Sequence, residues 1–287
     1  MAARPQFFSL LVNTTRSSTF NNGSIFGKRI LFSVGANTYC TQKPALAPLI
    51  RIVREKTGAG MMECKKYLEQ NNYDVDKAVE SLQKLARSAT GRGRTTNSGW
   101  IGLFTSGSTG VLCELQSETD FVASNEKFKS LAATIAQRGL ENSSNISEKL
   151  FSIPIETLKD IKDESTNTTI GEKVSELIYT TGESINLTKC EGLKVQNGLV
   201  NGYVHGGRLG ILVGLEGGNP TPELARSLAV HIAACAPKFI YKEDATPDTK
   251  ANEILTEQQY LHNEEQTVND VLVSAGNPKV SVHRLVR

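Results

Sequence analysis

The sequence lacks the short motifs by which many nucleotide-binding and hydrolytic proteins are recognised. It has no Gly-x-x-x-x-Gly-Lys-Ser/Thr loop, so we do not expect it to bind a nucleotide as P-loop proteins do. It also has no Gly-x-Ser-x-Gly turn to carry a hydrolase serine. With only four histidines and no paired catalytic signature, the sequence favours a protein without covalent chemistry of its own.

Cysteine pairs, strong net charge and long apolar runs are missing as well. The five cysteines stand far apart with no Cys-x-x-Cys pair, which argues against a disulfide framework and a structural zinc site. A net charge of +2 argues against a nucleic-acid-binding role for the chain as a whole. No run of about 18 apolar residues occurs, so the sequence predicts no membrane-spanning segment.

Acidic residues are absent from the start of the chain, where the first one is Glu55. Arginines and lysines recur there among many Ser, Thr and Asn residues. This composition predicts a mitochondrial or plastid transit peptide over residues 1–45. A secretory signal fits less well because polar residues interrupt each apolar cluster, and a disordered tail is the alternative.

The next segment, residues 46–86, has the pattern of three short helices. Apolar residues recur at helical spacing from Leu46, and Gly58 offers a left-handed end to the first helix. Asp74 is placed to cap the third helix. Residues 87–98 follow as a flexible linker without apolar periodicity. Its three arginines offer a contact to RNA or phosphate, although a solvated linker is the favoured interpretation: Arg87, Arg92 and Arg94.

A weak internal repeat organises the rest of the chain. A hairpin with glycines at Gly102 and Gly110 precedes a helix, and a hairpin with glycines at Gly202 and Gly210 precedes another. We therefore expect two α+β subdomains, over residues 99–196 and 197–287. Further strands are expected at 185–195 and 279–286, and a capped helix at 267–275.

Two histidine-containing clusters invite a chemical interpretation. His231 and Cys235 lie four residues apart, as metal ligands on one helical face do, but no third ligand is placed beside them. Burial of Cys235 in a core face is the favoured alternative. His205-Gly206-Gly207 resembles a lipase oxyanion motif without a nucleophile, so hairpin geometry explains the two glycines better.

Several longer stretches resemble one protein family. Residues 57–68 read Thr-Gly-Ala-Gly-Met-Met-Glu-Cys-Lys-Lys-Tyr-Leu, and residues 119–128 read Thr-Asp-Phe-Val-Ala-Ser-Asn-Glu-Lys-Phe. Both are similar to signatures of the elongation factor Ts family, and the similarity continues through 205–213, 231–240 and 267–272. The resemblance implies an α+β fold, in which an N-terminal three-helix module similar to ubiquitin-associated domains precedes a core of two α+β subdomains with small antiparallel sheets and packed helices.

The resemblance also implies a function. It predicts a guanine nucleotide exchange factor that binds the GTPase elongation factor Tu and promotes GDP release without a cofactor, metal or nucleotide of its own. The acid-free leader points to the mitochondrial matrix, and therefore to the mitochondrial elongation factor Tu as partner. We expect no membrane and no nucleic acid among the partners. The rival hypothesis is an RNA- or ribosome-associated adaptor in mitochondria that uses the helical module and the linker arginines.

The resemblance implies which residues contact the partner. Asp120 and Phe121 match an acidic-aromatic pair that wedges into the partner's nucleotide domain, and Thr119, Val122 and Ala123 match its supporting loop. From the residues alone, the favoured interpretation of Asp120 is a helix cap near Asn125 and that of Phe121 is a core aromatic, and only the family resemblance reverses this preference. In the helical module the matching residues are Arg54, Met61 and Met62, and in the second hairpin they are His205, Gly206, Gly207 and Arg208.

Two details qualify these expectations. A module of this size can hardly bury both adjacent methionines, so we expect one to fill its core and the other to be exposed. Bacterial members of the family carry a long helical hairpin after residue 240, whereas here only residues 241–256 precede the next matching stretch. Dimerisation through such an insertion is therefore not expected.

Overall fold

A computed structural model describes residues 45–91, 93–163 and 166–287. The predicted transit peptide lies outside these residues except for Ala45, and so does Arg92 of the linker. No helix in the described part of the chain is long and apolar enough to cross a membrane. The predicted α+β class is confirmed, with helices and small antiparallel sheets in each part of the core.

The N-terminal module consists of helices α1 (Leu46–Thr57), α2 (Met61–Gln70) and α3 (Val75–Arg87). Gly58 ends α1 with φ of +70°, a conformation that glycine adopts without the steric cost of a side chain. The Asp74 carboxylate caps α3 by accepting hydrogen bonds from the backbone N–H groups of the second and third helical residues. The buried core of the module is small and contains Val53, Ala59, Cys64, Leu68, Ala78 and Leu82.

The first part of the core is a four-stranded antiparallel sheet with helices packed against it. The strand order is β1-β2-β6-β3. Its elements are β1 (Ser98–Ser106), β2 (Thr109–Ser117), α4 (Asp120–Ala123), α5 (Glu126–Asn142), β3 (Leu150–Ser152), α6 (Ile155–Asp160), β4 (Lys162–Asp163), β5 (Thr168–Thr169), α7 (Ile170–Thr181) and β6 (Ile185–Lys194). Strands β4 and β5 form a separate two-stranded ladder.

The second part of the core has a three-stranded antiparallel sheet in the order β7-β8-β11. Its elements are β7 (Gly198–His205), β8 (Leu209–Glu216), α8 (Pro222–Cys235), β9 (Gln259–Tyr260), β10 (Asn263–Thr267), α9 (Val268–Ser274) and β11 (Lys279–Val286). Three short 3₁₀ helices lie between α8 and β9, at Lys242–Asp244, Ala251–Glu253 and Leu255–Glu257. The hairpin-then-helix repeat predicted from the sequence is present in both parts.

The two sheets share a buried apolar layer. Ile101 and Leu112 from the first sheet belong to one cluster with Val200 and Leu212 from the second. A backbone hydrogen bond from the Ile101 N–H to the Gly207 carbonyl, 3.0 Å long, joins the first strand to the tip of the second hairpin. The two halves of the repeat are therefore packed against each other as well as against their own helices.

A parallel bridge fixes the chain on either side of the 3₁₀ region. Phe239 pairs with Ile254, and the Leu255 N–H donates to the Phe239 carbonyl over 2.9 Å. The Lys238 N–H donates to the Glu253 carbonyl over 2.8 Å. Most residues between these two ends are exposed, whereas Ile254 and Leu255 are buried.

Candidate functional site

The segment after β2 holds the predicted wedge residues in a short capped helix. Thr119 is the N-cap of α4, and its hydroxyl accepts a hydrogen bond from the Val122 N–H at 3.4 Å. Val122 and Ala123 are buried in the apolar cluster of the first sheet. These two residues, predicted as a supporting loop, therefore anchor α4 to the core by burial and expose little surface to a partner.

Phe121 is the most exposed large apolar residue in the described part of the chain, with 82% of its surface accessible. The alternative interpretation of Phe121 as a core aromatic is therefore wrong. Asp120 is also exposed, and it lies in the first turn of α4. The alternative interpretation of Asp120 as a cap is wrong too, because Thr119 caps α4 and Asn125 caps α5. A carboxylate and an aromatic ring thus project together from a helix of four residues.

Two carboxylates that the sequence analysis missed fix this segment to the turn after α7. The Thr119 N–H and hydroxyl donate to the two carboxylate oxygens of Glu183, over 3.1 and 2.7 Å. In the reverse direction, the Ser184 N–H donates to Glu118 Oε1 over 2.7 Å. We call these contacts between residues 118–119 and 183–184 the loop anchor. No local sequence signal reveals it, since the partners are 64 and 66 residues apart.

The electrostatics of the loop anchor favour ionised Glu118. The hydrogen bond from the Ser184 N–H, and after it the one from Arg94, lower the pKa of Glu118 from its usual value. Arg94 Nη1 lies 3.3 Å from Glu118 Oε2. The segment predicted as a flexible linker therefore contacts the loop anchor through Arg94.

The predicted contact residues of the helical module are all on its surface. Arg54 is exposed, and Met61 and Met62 have 59% and 74% of their surface accessible. The expectation that one methionine fills the core is wrong, because both lie in the first turn of α2 and Cys64 and Leu68 supply the buried face instead. Two adjacent thioether side chains thus form an exposed apolar patch of the kind that adapts to a partner surface.

Helix α7 connects the module to the loop anchor. Its Tyr179 ring packs against the module core, and its hydroxyl donates to Glu63 Oε2 over 2.7 Å. Burial and the Glu63 carboxylate raise the pKa of Tyr179. An open groove of about 590 Å³ lies between α7 and the module, and its lining includes Arg54, Glu63 and Glu183. The structure therefore brings Arg54 and the loop anchor to the edges of one groove.

The second hairpin divides into exposed and buried residues. His205, Gly206 and Arg208 are exposed at the turn, and Tyr203 Oη lies 3.1 Å from His205 Nδ1. Gly207 is buried against the ring of Trp100, where a Cβ atom would lie 2.2 Å from Trp100 Cε3. Gly207 is therefore a packing contact between the two sheets, and its contact with the partner stays a prediction.

His231 and Cys235 both lie near the end of α8. Cys235 Sγ lies 4.0 Å from His231 Nδ1, and the described residues contain no group of three or more metal-ligating side chains. The expected burial of Cys235 is wrong, since it is exposed at the last turn of α8. His231 is buried instead, with Nε2 2.8 Å from Gln258 Oε1 and Nδ1 accepting from the Leu261 N–H at 3.2 Å.

Comparisons with known proteins agree on one family. A family model described as "Elongation factor TS" matches residues 118–254. A protein named elongation factor Ts from Magnetococcus marinus is 35% identical over 213 residues, which cover 72% of this chain and 68% of that protein. Similar proteins of the same name occur in Rhodopseudomonas palustris, 33% identical over 84% of this chain and 75% of the relative, and in Rhodospirillum rubrum, 36% identical over 74% and 70%.

Proposed function

Because the chain belongs to the elongation factor Ts family of translation elongation factors, we propose that it is the guanine nucleotide exchange factor of the mitochondrial elongation factor Tu. In this role it accelerates GDP release so that GTP can bind again. The observation that carries the proposal is Phe121, a fully projecting aromatic ring on a capped helix whose base is buried.

The proposed mechanism uses shape and charge only. A phenyl ring inserted between partner side chains displaces the elements that hold the phosphates and Mg²⁺ of the nucleotide, while Asp120 adds a negative charge beside it. Since the factor and GDP bind the same partner with opposing effects, each lowers the affinity of the other by the same factor. Met61, Met62 and Arg54 supply a second contact that holds the partner while the nucleotide leaves.

The proposed location is the mitochondrial matrix. Support comes from the first 54 residues, which contain no Asp or Glu but several Arg, Lys, Ser and Thr residues. The relatives compared above are bacterial proteins, and residues 1–45 form the segment that would direct this chain into the organelle.

The test is release of a fluorescent GDP analogue from mitochondrial elongation factor Tu. We expect wild-type protein to accelerate release, and Phe121→Ala to reduce the acceleration at least about tenfold, equivalent to about 1.4 kcal/mol. Phe121 is so exposed that its removal leaves the core intact. The matched control is Val273→Ala. Val273 lies on α9, in the second part of the core, and 58% of its surface is accessible.

Salt dependence separates this proposal from the RNA- or ribosome-associated adaptor. Binding through an apolar wedge changes little between low and moderate salt, whereas phosphate contacts weaken steeply as salt is added. Folded wild-type protein that leaves GDP release unchanged, yet binds RNA in a strongly salt-dependent way, would favour the adaptor.

A further inference from the structure

We infer that Glu183 is a positioning residue for the release wedge, defined as Asp120 and Phe121. Its carboxylate holds the N-cap of the four-residue helix from which both side chains project. The inference rests on the proposed exchange function and adds to it a residue from a distant segment whose carboxylate accepts hydrogen bonds from Thr119, the residue before the wedge.

The first argument is the weakness of α4 on its own. A helix of four residues has a single turn, and isolated helices of this length are unstable in water. Its cap hydrogen bond from the Val122 N–H to Thr119 is long, at 3.4 Å. The orientation of Phe121 therefore depends on the contacts that hold residue 119 and on the buried residues that follow the ring.

The second argument is the geometry at Thr119. Glu183 accepts two hydrogen bonds from this residue, and the shorter one joins a hydroxyl to a carboxylate over 2.7 Å. Hydrogen bonds to ionised acceptors are stronger than neutral ones. With its O–H donated to Glu183, the Thr119 oxygen turns its lone pairs toward the Val122 N–H. Glu183 thereby fixes the backbone and the rotamer of the cap together.

The third argument is that Glu183 itself has a fixed position. It follows Gly182, which ends α7 in the left-handed conformation, and it precedes the buried Ser184. Helix α7 is held at its other turns by buried Ile170 and Val174 and by the contact of Tyr179 with the helical module. The carboxylate is thus carried by the rigid part of the fold to the base of the wedge.

The experiment compares Glu183→Ala with Asp270→Ala in the full chain. Asp270 is a chemically matched control, because its carboxylate also accepts the N–H and hydroxyl of a threonine N-cap, Thr267, over 2.9 and 2.7 Å. Each substitution removes two hydrogen bonds from a threonine N-cap, but only the Thr119 cap lies at the wedge. The measurements are the maximal rate of GDP release and the factor concentration that gives half of that rate.

We expect Glu183→Ala to lower the maximal rate about fivefold to tenfold, with a change of less than about twofold in the half-saturating concentration. Asp270→Ala leaves both values within about twofold of wild type. A substitution that merely unfolded some of the protein would raise the apparent half-saturating concentration and leave the maximal rate unchanged. Glu183→Gln keeps one acceptor oxygen but loses the charge and the second acceptor, so its rate should lie between those of Glu183→Ala and wild type.

Two further readouts distinguish positioning from direct contact with the partner. In the free protein, amide hydrogen exchange at residues 119–123 accelerates in Glu183→Ala and not in Asp270→Ala. In a double-mutant cycle, Glu183→Ala combined with Thr119→Val loses less than the sum of the two single losses, because Thr119→Val already removes the hydroxyl contact to Glu183 and leaves only the backbone N–H contact. Additive losses would mean that Glu183 binds the partner directly, and would overturn the inference.

The proposed function and the inference fail in different ways. If wild-type protein accelerates release and Glu183→Ala does so at the full rate, only the inference is overturned. If folded wild-type protein does not accelerate release at all, the proposed function falls and the inference falls with it.

Discussion

Replacement of Gly207 by alanine tests whether the second hairpin is locked against the first sheet. Gly207 has φ of +71°, and a Cβ atom there would lie 2.2 Å from Trp100 Cε3. The neighbouring Gly206 has φ of +55° and no heavy atom within 4 Å of its Cβ position. Gly206→Ala is therefore a matched control that has the same backbone cost without the collision.

The magnitudes follow from these two geometries. An alanine in the left-handed region costs about 1–2 kcal/mol relative to glycine. The collision with a ring adds about 1–3 kcal/mol, as overpacking of a filled site does. The Trp100 ring packs against the buried apolar cluster of the first sheet, which limits how far it can move away from residue 207. We expect Gly206→Ala to lower the free energy of unfolding by about 1–2 kcal/mol and Gly207→Ala by about 2–5 kcal/mol.

The assay is urea unfolding, followed by circular dichroism and by the fluorescence of Trp100, which is the only tryptophan in the chain. A blue or red shift of the native emission in Gly207→Ala alone would report the displaced ring directly. Replacing Trp100 by leucine should remove most of the difference between the two alanine variants. Equal losses of stability in Gly206→Ala and Gly207→Ala would refute the reasoning.

Two other predictions concern pH and import. Burial lowers the pKa of His231, so the folded state binds its proton less readily than the unfolded state, and stability should fall as the pH drops through about 6.5. The urea midpoint should therefore fall between pH 7.5 and pH 5.5, and it should fall further in wild type than in His231→Gln. A fall of the same size in both proteins would contradict this prediction. Residues 1–45 fused to a fluorescent protein should carry it into mitochondria, whereas residues 46–287 fused in the same way should stay outside; diffuse fluorescence from the first fusion would contradict the proposed location.

Local signals in the sequence predicted much of the fold. Helices α1, α2 and α3 follow from apolar spacing together with Gly58 and Asp74, since these signals act within a few residues of the helix ends. The paired hairpins follow from β-branched and aliphatic runs around glycines. The two-residue strands β4, β5 and β9 were not predicted, because segments this short have no periodicity to detect.

The contacts at the candidate site were less accessible to sequence reasoning. The pairing of Thr119 with Glu183 and the close approach of Gly207 to Trp100 join segments far apart in the chain. Whether Met62 is exposed depends on which face of α2 packs against the module core, and the apolar character of the residue alone does not determine that face. That the wedge, module and hairpin residues contact a partner stays a prediction from the family resemblance.

The bridge between Phe239 and Ile254 allows the segment between them to vary in length without a change in the surrounding fold. Since the two ends are held together by backbone hydrogen bonds, the chain between them can lengthen without moving α8 or the strands of the second sheet. The entropic cost of closing a longer loop rises only slowly, by about 0.6 kcal/mol per doubling. Residues 242–250 are therefore a site at which this fold can accept an inserted domain, a purification tag or a cysteine for labelling while the wedge and the two sheets keep their geometry.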